Sequence, residues 1–281
     1  MDADLSTAAA PSPGFTALPG RALVRIAGPD WRDFLQGLLT QDVESLAPGD
    51  LRFGALLTPQ GKLLFDLFIV GADDGVLIDV AADRRDALIQ RLTLYRLRAK
   101  VEIAADPRGV SAFWGEAPQG EDWRADPRLP ALGWRGYGQA APAGARDLGE
   151  AGYDAHRLAL GVPDPDQDAP PETTYPIEAN FDLLAGVDFK KGCFVGQETT
   201  SRMKRRGAIK TRMLPLRFAG APPAFGAEVL AGTLRAGEVR SGADGRVMAL
   251  LRLDRIAGAE LTVDGRPATV EWPGYIARDE G

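Results

Sequence analysis

Three aliphatic runs separated by two turn signals constrain the fold most. "LRFGALLT" (51–58), "LLFDLFIV" (63–70) and "GVLIDVA" (75–81) are joined by "PQGK" and "GADD". Runs this short, bounded by Pro, Gly and Asp, pair with their neighbours, so an antiparallel meander is predicted. Upstream, "ALVRIAGPDWRDFLQGLLTQDV" reads as a strand followed by a helix, with Asp30 as N-cap and Phe34, Leu35, Leu38 and Leu39 on one apolar stripe. Downstream, "DRRDALIQRLTLYRLR" sets Leu88, Leu92 and Tyr95 at i, i+4 and i+7 of a helix, and "AKVEIA" returns to strand. Elements in this order predict an α+β layer with one sheet face covered by helices.

The texture changes twice more. From about Gly109 to Gln139 short strands surround Trp114 and Trp134, then "YDAHRLALG" reads as a helix and "GVPDPDQDAPPETTYP" as a long loop. Beyond Lys210 the chain becomes short strands spaced by Gly and Asp-Gly turns, with no helical pattern, as expected of a small β-barrel or sandwich of about 70 residues. The expected division is a leader over 1–18, an α+β region over 19–208 in two lobes that split near 106–140, and a C-terminal barrel over 209–281.

Composition removes several chemistries. One cysteine (Cys193) and one histidine (His156) cannot form a Cys/His zinc site, and one chain cannot supply four cysteines to a typical iron–sulfur cluster. No G-x-x-x-x-G-K-[ST], G-x-G-x-x-G or G-x-S-x-G occurs. A net charge of −6 argues against direct nucleic-acid binding. No apolar run approaches the roughly 20 residues of a membrane helix. The first residues carry acids where a signal peptide carries positive charge. A single cysteine fits a reducing compartment, and a cytoplasmic location is expected.

That cysteine lies in "DFKKGCFVGQETTSRMKRRG" (188–207). Lys190 and Lys191 precede it, and a helix predicted over about 197–206, with Gly207 at its C-terminal end, would aim unpaired N–H groups toward it. Both features favour a thiolate. The same residue types suit a lone cysteine that is simply a small buried hydrophobe. A Cys193–His156 dyad has less support, because nothing in the sequence brings the two together. From Lys190 to Arg212 there are eight Lys or Arg and one acid, Glu198. They read either as a solvated basic helix or as an anion patch for an acidic partner.

"KGCFVGQE" resembles the K-G-C-Y-x-G-Q-E signature of the folate-binding YgfZ family, bacterial relatives of a mitochondrial factor in [4Fe–4S] protein maturation. "FLQGLLTQDV", "LLTPQGKLLFDLFIV", "LYRLRAKVEI", "ADPRLPALGWR", "RLALGVPD" and "YPIEANFDLLAGVDFKKGC" follow the family in order, so the resemblance covers nearly the whole chain. Phe194 stands where the family has Tyr. The resemblance implies an aminomethyltransferase (T-protein) fold, α+β lobes with a C-terminal barrel around a central channel that takes tetrahydrofolate. It implies Glu178 of "YPIEAN" on the pterin, with Asn180, Arg98, Gln197 and Glu198 as further cofactor contacts. Gln197 and Glu198 also fix the helix start. It further implies Cys193 as the reactive thiol, Lys191 as its cationic neighbour, and Asp66 as the remnant of an acidic pair whose other member is replaced by Phe65. The implied function is support of [4Fe–4S] cluster assembly or repair, indirectly of tRNA modification. The implied partners are iron–sulfur assembly proteins or client enzymes. A folate-dependent one-carbon transferase and a scaffold that binds an assembly partner remain the alternatives.

Overall fold

In the computed structural model, residues 13–118, 123–206, 209–243 and 245–277 are described. The first lobe runs β1 (Gly14–Ala17), β2 (Arg21–Ala27), α1 (Trp31–Gln36), β3 (Leu51–Leu57), β4 (Leu63–Ala72), β5 (Gly75–Ala81), α2 (Arg85–Arg96) and β6 (Glu102–Asp106). The meander forms as predicted, with β2 and β6 extending it into an antiparallel sheet of order β3-β4-β5-β2-β6. Strand periodicity assigns its two faces. Leu67 and Ile69 pack with Trp31, Leu35, Leu88 and Leu92 under α1 and α2, while Phe68 and Val70 point the other way into two further clusters. The same alternation sends Phe65 under the helices and Asp66 into the interior beyond the sheet.

β7 (Val110–Trp114), β8 (Arg124–Ala125), β9 (Trp134–Tyr137) and β10 (Arg146–Asp147) join β1 in a second sheet of order β10-β1-β7-β9-β8. Leu23, Val70 and Leu77 of the first sheet meet Val110, Ala112, Trp114 and Tyr137 of the second. The leader expected over 1–18 is therefore too long. Residues 14–17 form a strand paired to β7 with Phe15 buried, and only residues 1–12 of it lie outside the described residues.

α3 (Gly149–Ala159), α4 (Pro165–Asp168) and α5 (Gln197–Arg206) lead to the C-terminal unit. There β11 (Thr211–Phe218), β12 (Glu228–Ala231), β13 (Leu234–Ala243), β14 (Arg246–Arg252), β15 (Leu261–Val263) and β16 (Arg266–Val270) close a six-stranded barrel of order β11-β14-β13-β12-β15-β16, with β16 returning to β11. One helical turn, Leu253–Ile256, interrupts the all-β expectation and buries Ile256 against the barrel core. A shared cluster ties the units together: Phe53 and Phe68 from the first sheet, Phe181 from the segment between α4 and α5, Met213 and Met248 from the barrel, and Phe194. Burying each of these large side chains stabilises by about 1.5–3 kcal/mol.

Two local expectations change. Asp30 makes no side-chain cap, and its Oδ2 accepts from the Lys100 amide at 2.7 Å. α1 ends at Gln36, so Leu38 and Leu39 fall in the following turn, where Leu39 bridges to Leu56. α5 starts where predicted, while its expected terminal Gly207 lies outside the described residues.

Candidate functional site

Cys193 is exposed, at the tip of a loop held on both sides. On its N-terminal side, Lys191 turns its Nζ onto the carbonyls of Gln36 and Leu39, the latter at 2.7 Å. The amide of Gln36 returns a bond to the Lys191 carbonyl at 3.2 Å. Gln36 ends α1 and Leu39 lies in the turn that follows, so the cation sits at the C-terminal end of the helix, where it is favoured. On its C-terminal side, Phe194 is buried in the shared cluster, Val195 packs under α1 and α2, and the Val195 amide donates to the Gly37 carbonyl at 3.2 Å. The Phe194 amide donates to Gln197 Oε1 at 3.0 Å. Gly192 and Gly196, at φ of 92° and 80°, supply the left-handed turns that leave the thiol outside. The buried-hydrophobe reading of Cys193 is thereby corrected.

Lys191 is not free to serve the thiol. Burial pushes its ammonium down to about 8, partly offset by the nearby Asp42, Asp188 and Glu44 carboxylates, and its donors point at α1. The cysteine–histidine dyad also dissolves. His156 bonds through Nε2 to the Ala131 carbonyl at 2.9 Å and stacks on Trp114, so its contacts are within the second lobe.

Asp66 lies elsewhere, in a central cavity of about 90 Å³ between the two sheets and α3 and α4. Arg21 donates to Asp66 at 2.9 Å and to Asp79 at 2.7 Å, and Arg135 donates to the other Asp79 oxygen at 2.6 Å. Arg128 pairs with Asp126 at 2.7 Å and reaches the Tyr153 hydroxyl at 2.9 Å. The Phe68 ring sits among all three guanidiniums, at 5.6, 4.8 and 3.8 Å from those of Arg21, Arg128 and Arg135. Burial works against the Arg21 charge, but the Asp66 and Asp79 carboxylates outweigh it and hold the guanidinium firmly protonated. Burial likewise opposes the Asp79 charge and is outweighed by Arg135 and Arg21. On the opposite wall, Arg157 joins Asp154, Asp168 and Ser241, which ties α3 and α4 to the barrel. Sequence patterning missed this set, because its arginines are scattered over β2, β9, α3 and the loop that holds Arg128, with no common spacing.

The other expected contacts are dispersed. Glu178 accepts from the Tyr175 amide through Oε2 at 2.9 Å, and its Oε1 has no hydrogen-bond partner among the described residues. Burial raises its carboxyl, with Lys62 and Arg240 acting against that rise. It does not line the cavity. Asn180 is fully buried at φ 61°, donates to the Met213 carbonyl at 2.8 Å and accepts from Arg212, so it is a joint between loop and barrel. Gln197 closes the turn after Cys193, whereas Glu198 and Arg98 are exposed and line no part of the cavity.

The central cavity is small for an enclosed tetrahydrofolate. Its volume is well below the roughly 300–1,000 Å³ of pockets that enclose ligands of that size, and Asp66 is committed to Arg21. Space of this kind holds a few waters.

Comparison with known proteins bears on both regions. Residues 210–277 match the family described as CAF17, C-terminal beta-barrel domain. The chain is 37% identical over 242 residues to the iron–sulfur cluster assembly factor IBA57 homolog, mitochondrial, of Phaeosphaeria nodorum, covering 76% of this chain and 58% of that protein. It is 33% identical over 278 residues to human IBA57, mitochondrial, covering 86% of this chain and 78% of that protein. It thus spans somewhat more than half the length of the fungal relative. Both relatives are named as mitochondrial, which overturns the cytoplasmic expectation drawn from the lone cysteine. The glycine cleavage system aminomethyltransferase T of Bartonella henselae superposes with a TM-score of 0.75 at 19% identity, over 94% of this chain and 86% of that one. The T-protein fold is therefore the fold of this chain.

Proposed function

The chain belongs to the family of the iron–sulfur cluster assembly factor IBA57, and from that premise we propose that it supports the assembly or repair of [4Fe–4S] proteins through the Cys193 thiol. The single observation that carries this is the presentation of Cys193: exposed, and fixed by Lys191 on one side and Phe194 on the other. A cluster iron, as cargo, takes a thiolate, with the thiol proton leaving to solvent. A fixed, exposed sulfur is open to a cluster or a thiol on another protein, and no second thiol in the chain competes for it. Effects on cluster-dependent tRNA-modifying enzymes follow indirectly. Lys191 acts as a positioning residue, by anchoring the loop. In cells that depend on this chain, Cys193→Ser at unchanged protein level should depress [4Fe–4S] enzyme activity. Full activity would sink the thiol role.

Folate binding of the YgfZ kind is a second reading. It is favoured by the open Oε1 of Glu178, an acceptor suited to a pterin amide and amine edge, and it is opposed by the cavity volume. Calorimetric titration of tetrahydrofolate into anaerobic wild type and Glu178→Gln separates the cases. One-carbon transfer has less support still, since Phe65 is buried under the helices and Asp66 is held by Arg21.

A further inference from the structure

We propose that the C-terminal tip of α2 is the docking surface for a protein partner that presents an apolar side chain ringed by carboxylates. Leu94, in the last turn of α2, and Leu97, the residue that ends it, are 67% and 90% exposed. Leu97 also sits at φ 43°, ψ −101°, a backbone region that leucine rarely adopts and that costs about 1–3 kcal/mol. The neighbouring Leu88 and Leu92 are fully buried, whereas Leu97 belongs to no core cluster.

The rim is cationic. Arg91, Arg96, Arg98 and Lys100 form no ion pair within 4.0 Å among the described residues, whereas the neighbouring Arg85 and Arg25 pair with Asp86 and Asp74. The acids close by are Asp30, occupied by the Lys100 amide, and Glu102. An apolar centre with an unneutralised basic rim matches a partner of the opposite rim charge. A second copy of the chain would bring the same cations to the patch across a two-fold axis. Two leucines on one turn offer little apolar area for a membrane surface.

The position connects the patch to the thiol. α1 meets Lys100 at its N-terminal end, through Asp30, and Lys191 at its C-terminal end. Its six residues span about 9 Å. An interface of standard size, about 800 Å² per partner, covers that distance. A protein seated on Leu97 and extending along α1 would approach the loop that carries Cys193. This link rests on the proposed function, whereas the docking surface stands without it.

The test replaces Leu97 by the photoreactive p-benzoylphenylalanine in the full chain, in cells, and maps the cross-linked peptide by mass spectrometry. Leu234, an exposed leucine on the barrel, is the control position. Expected is an adduct to another protein at an apolar residue flanked by Asp or Glu, reduced more than tenfold by R96E/R98E and unchanged by Cys193→Ser. An adduct to lipid, to a second copy, to a segment without acids, or no more adduct than at Leu234 overturns the proposal. If Cys193→Ser leaves cluster enzymes active while the acid-flanked adduct persists, the thiol role fails and the docking surface stands.

Discussion

The Nζ of Lys191 donates to the carbonyl of Leu39 at 2.7 Å, across 152 residues of chain. The bond fastens the cysteine loop to the end of α1. Lys191→Met should therefore lower stability at pH 7 by about 1–2 kcal/mol, the scale of a charged hydrogen bond reduced by partial exposure. The pH dependence has a definite sign. Burial holds Lys191 down at about 8, whereas an unfolded lysine titrates near 10.4. Between those values the unfolded chain binds more protons, so wild type gains stability relative to Lys191→Met as pH rises from 8 to 10. Denaturant midpoints at pH 7, 8 and 10 measure this, and parallel profiles would contradict it.

Asp66→Asn tests whether the cavity network is structural. The substitution leaves Arg21 with Asp79 alone, already shared with Arg135. A broken buried pair typically costs 3–5 kcal/mol, and the surviving partner puts the expected loss near the lower end, about 3 kcal/mol by chemical denaturation. A loss below about 1 kcal/mol would mean that Asp66 is available for another role.

Asp166, solvent-exposed at the cavity rim, is pushed up to about 6 by partial desolvation of its carboxyl and by the Asp164 and Asp66 carboxylates. A raised carboxyl binds more protons folded than unfolded between about pH 4 and 6, so its contribution to stability falls as pH rises through that window. Asp166→Asn should then raise Tm relative to wild type at pH 7 and leave it unchanged at pH 4. Equal shifts at both values would contradict the electrostatic cause.

Leu97→Gly relieves a left-handed residue without removing any buried contact. It should stabilise the isolated protein by about 1 kcal/mol, because the relief of strain exceeds the entropy glycine adds to the unfolded chain. It should also weaken partner capture. Loss of stability would show that the turn at Leu97 is not strained.

Much of the fold was legible because its periodicities are local. The meander from Leu51 to Ala81, the start of α5 at Gln197 and the barrel beyond Lys210 each follow from alternation or turn residues within a short window. What stayed hidden depends on contacts far apart in sequence. Asp30 looked like a cap until the Lys100 amide took its carboxylate, 70 residues away. Residues 14–17 read as leader because their partner β7 comes a hundred residues later. In the site, the signature located Cys193 but could not show that Lys191 faces α1, nor that Glu178 and Asp66 stand apart. The Arg21, Arg128 and Arg135 network around Phe68 carries no sequence spacing at all.

The central claim is that the exposed thiol of Cys193 acts in cluster assembly. Its most direct measurement is the specific activity of a [4Fe–4S] enzyme in cells whose only copy of this chain is wild type, Cys193→Ser or Glu178→Gln, at matched protein levels. Loss in Cys193→Ser of tenfold or more, with the variant folded, is the predicted result. Wild-type activity in Cys193→Ser would contradict it.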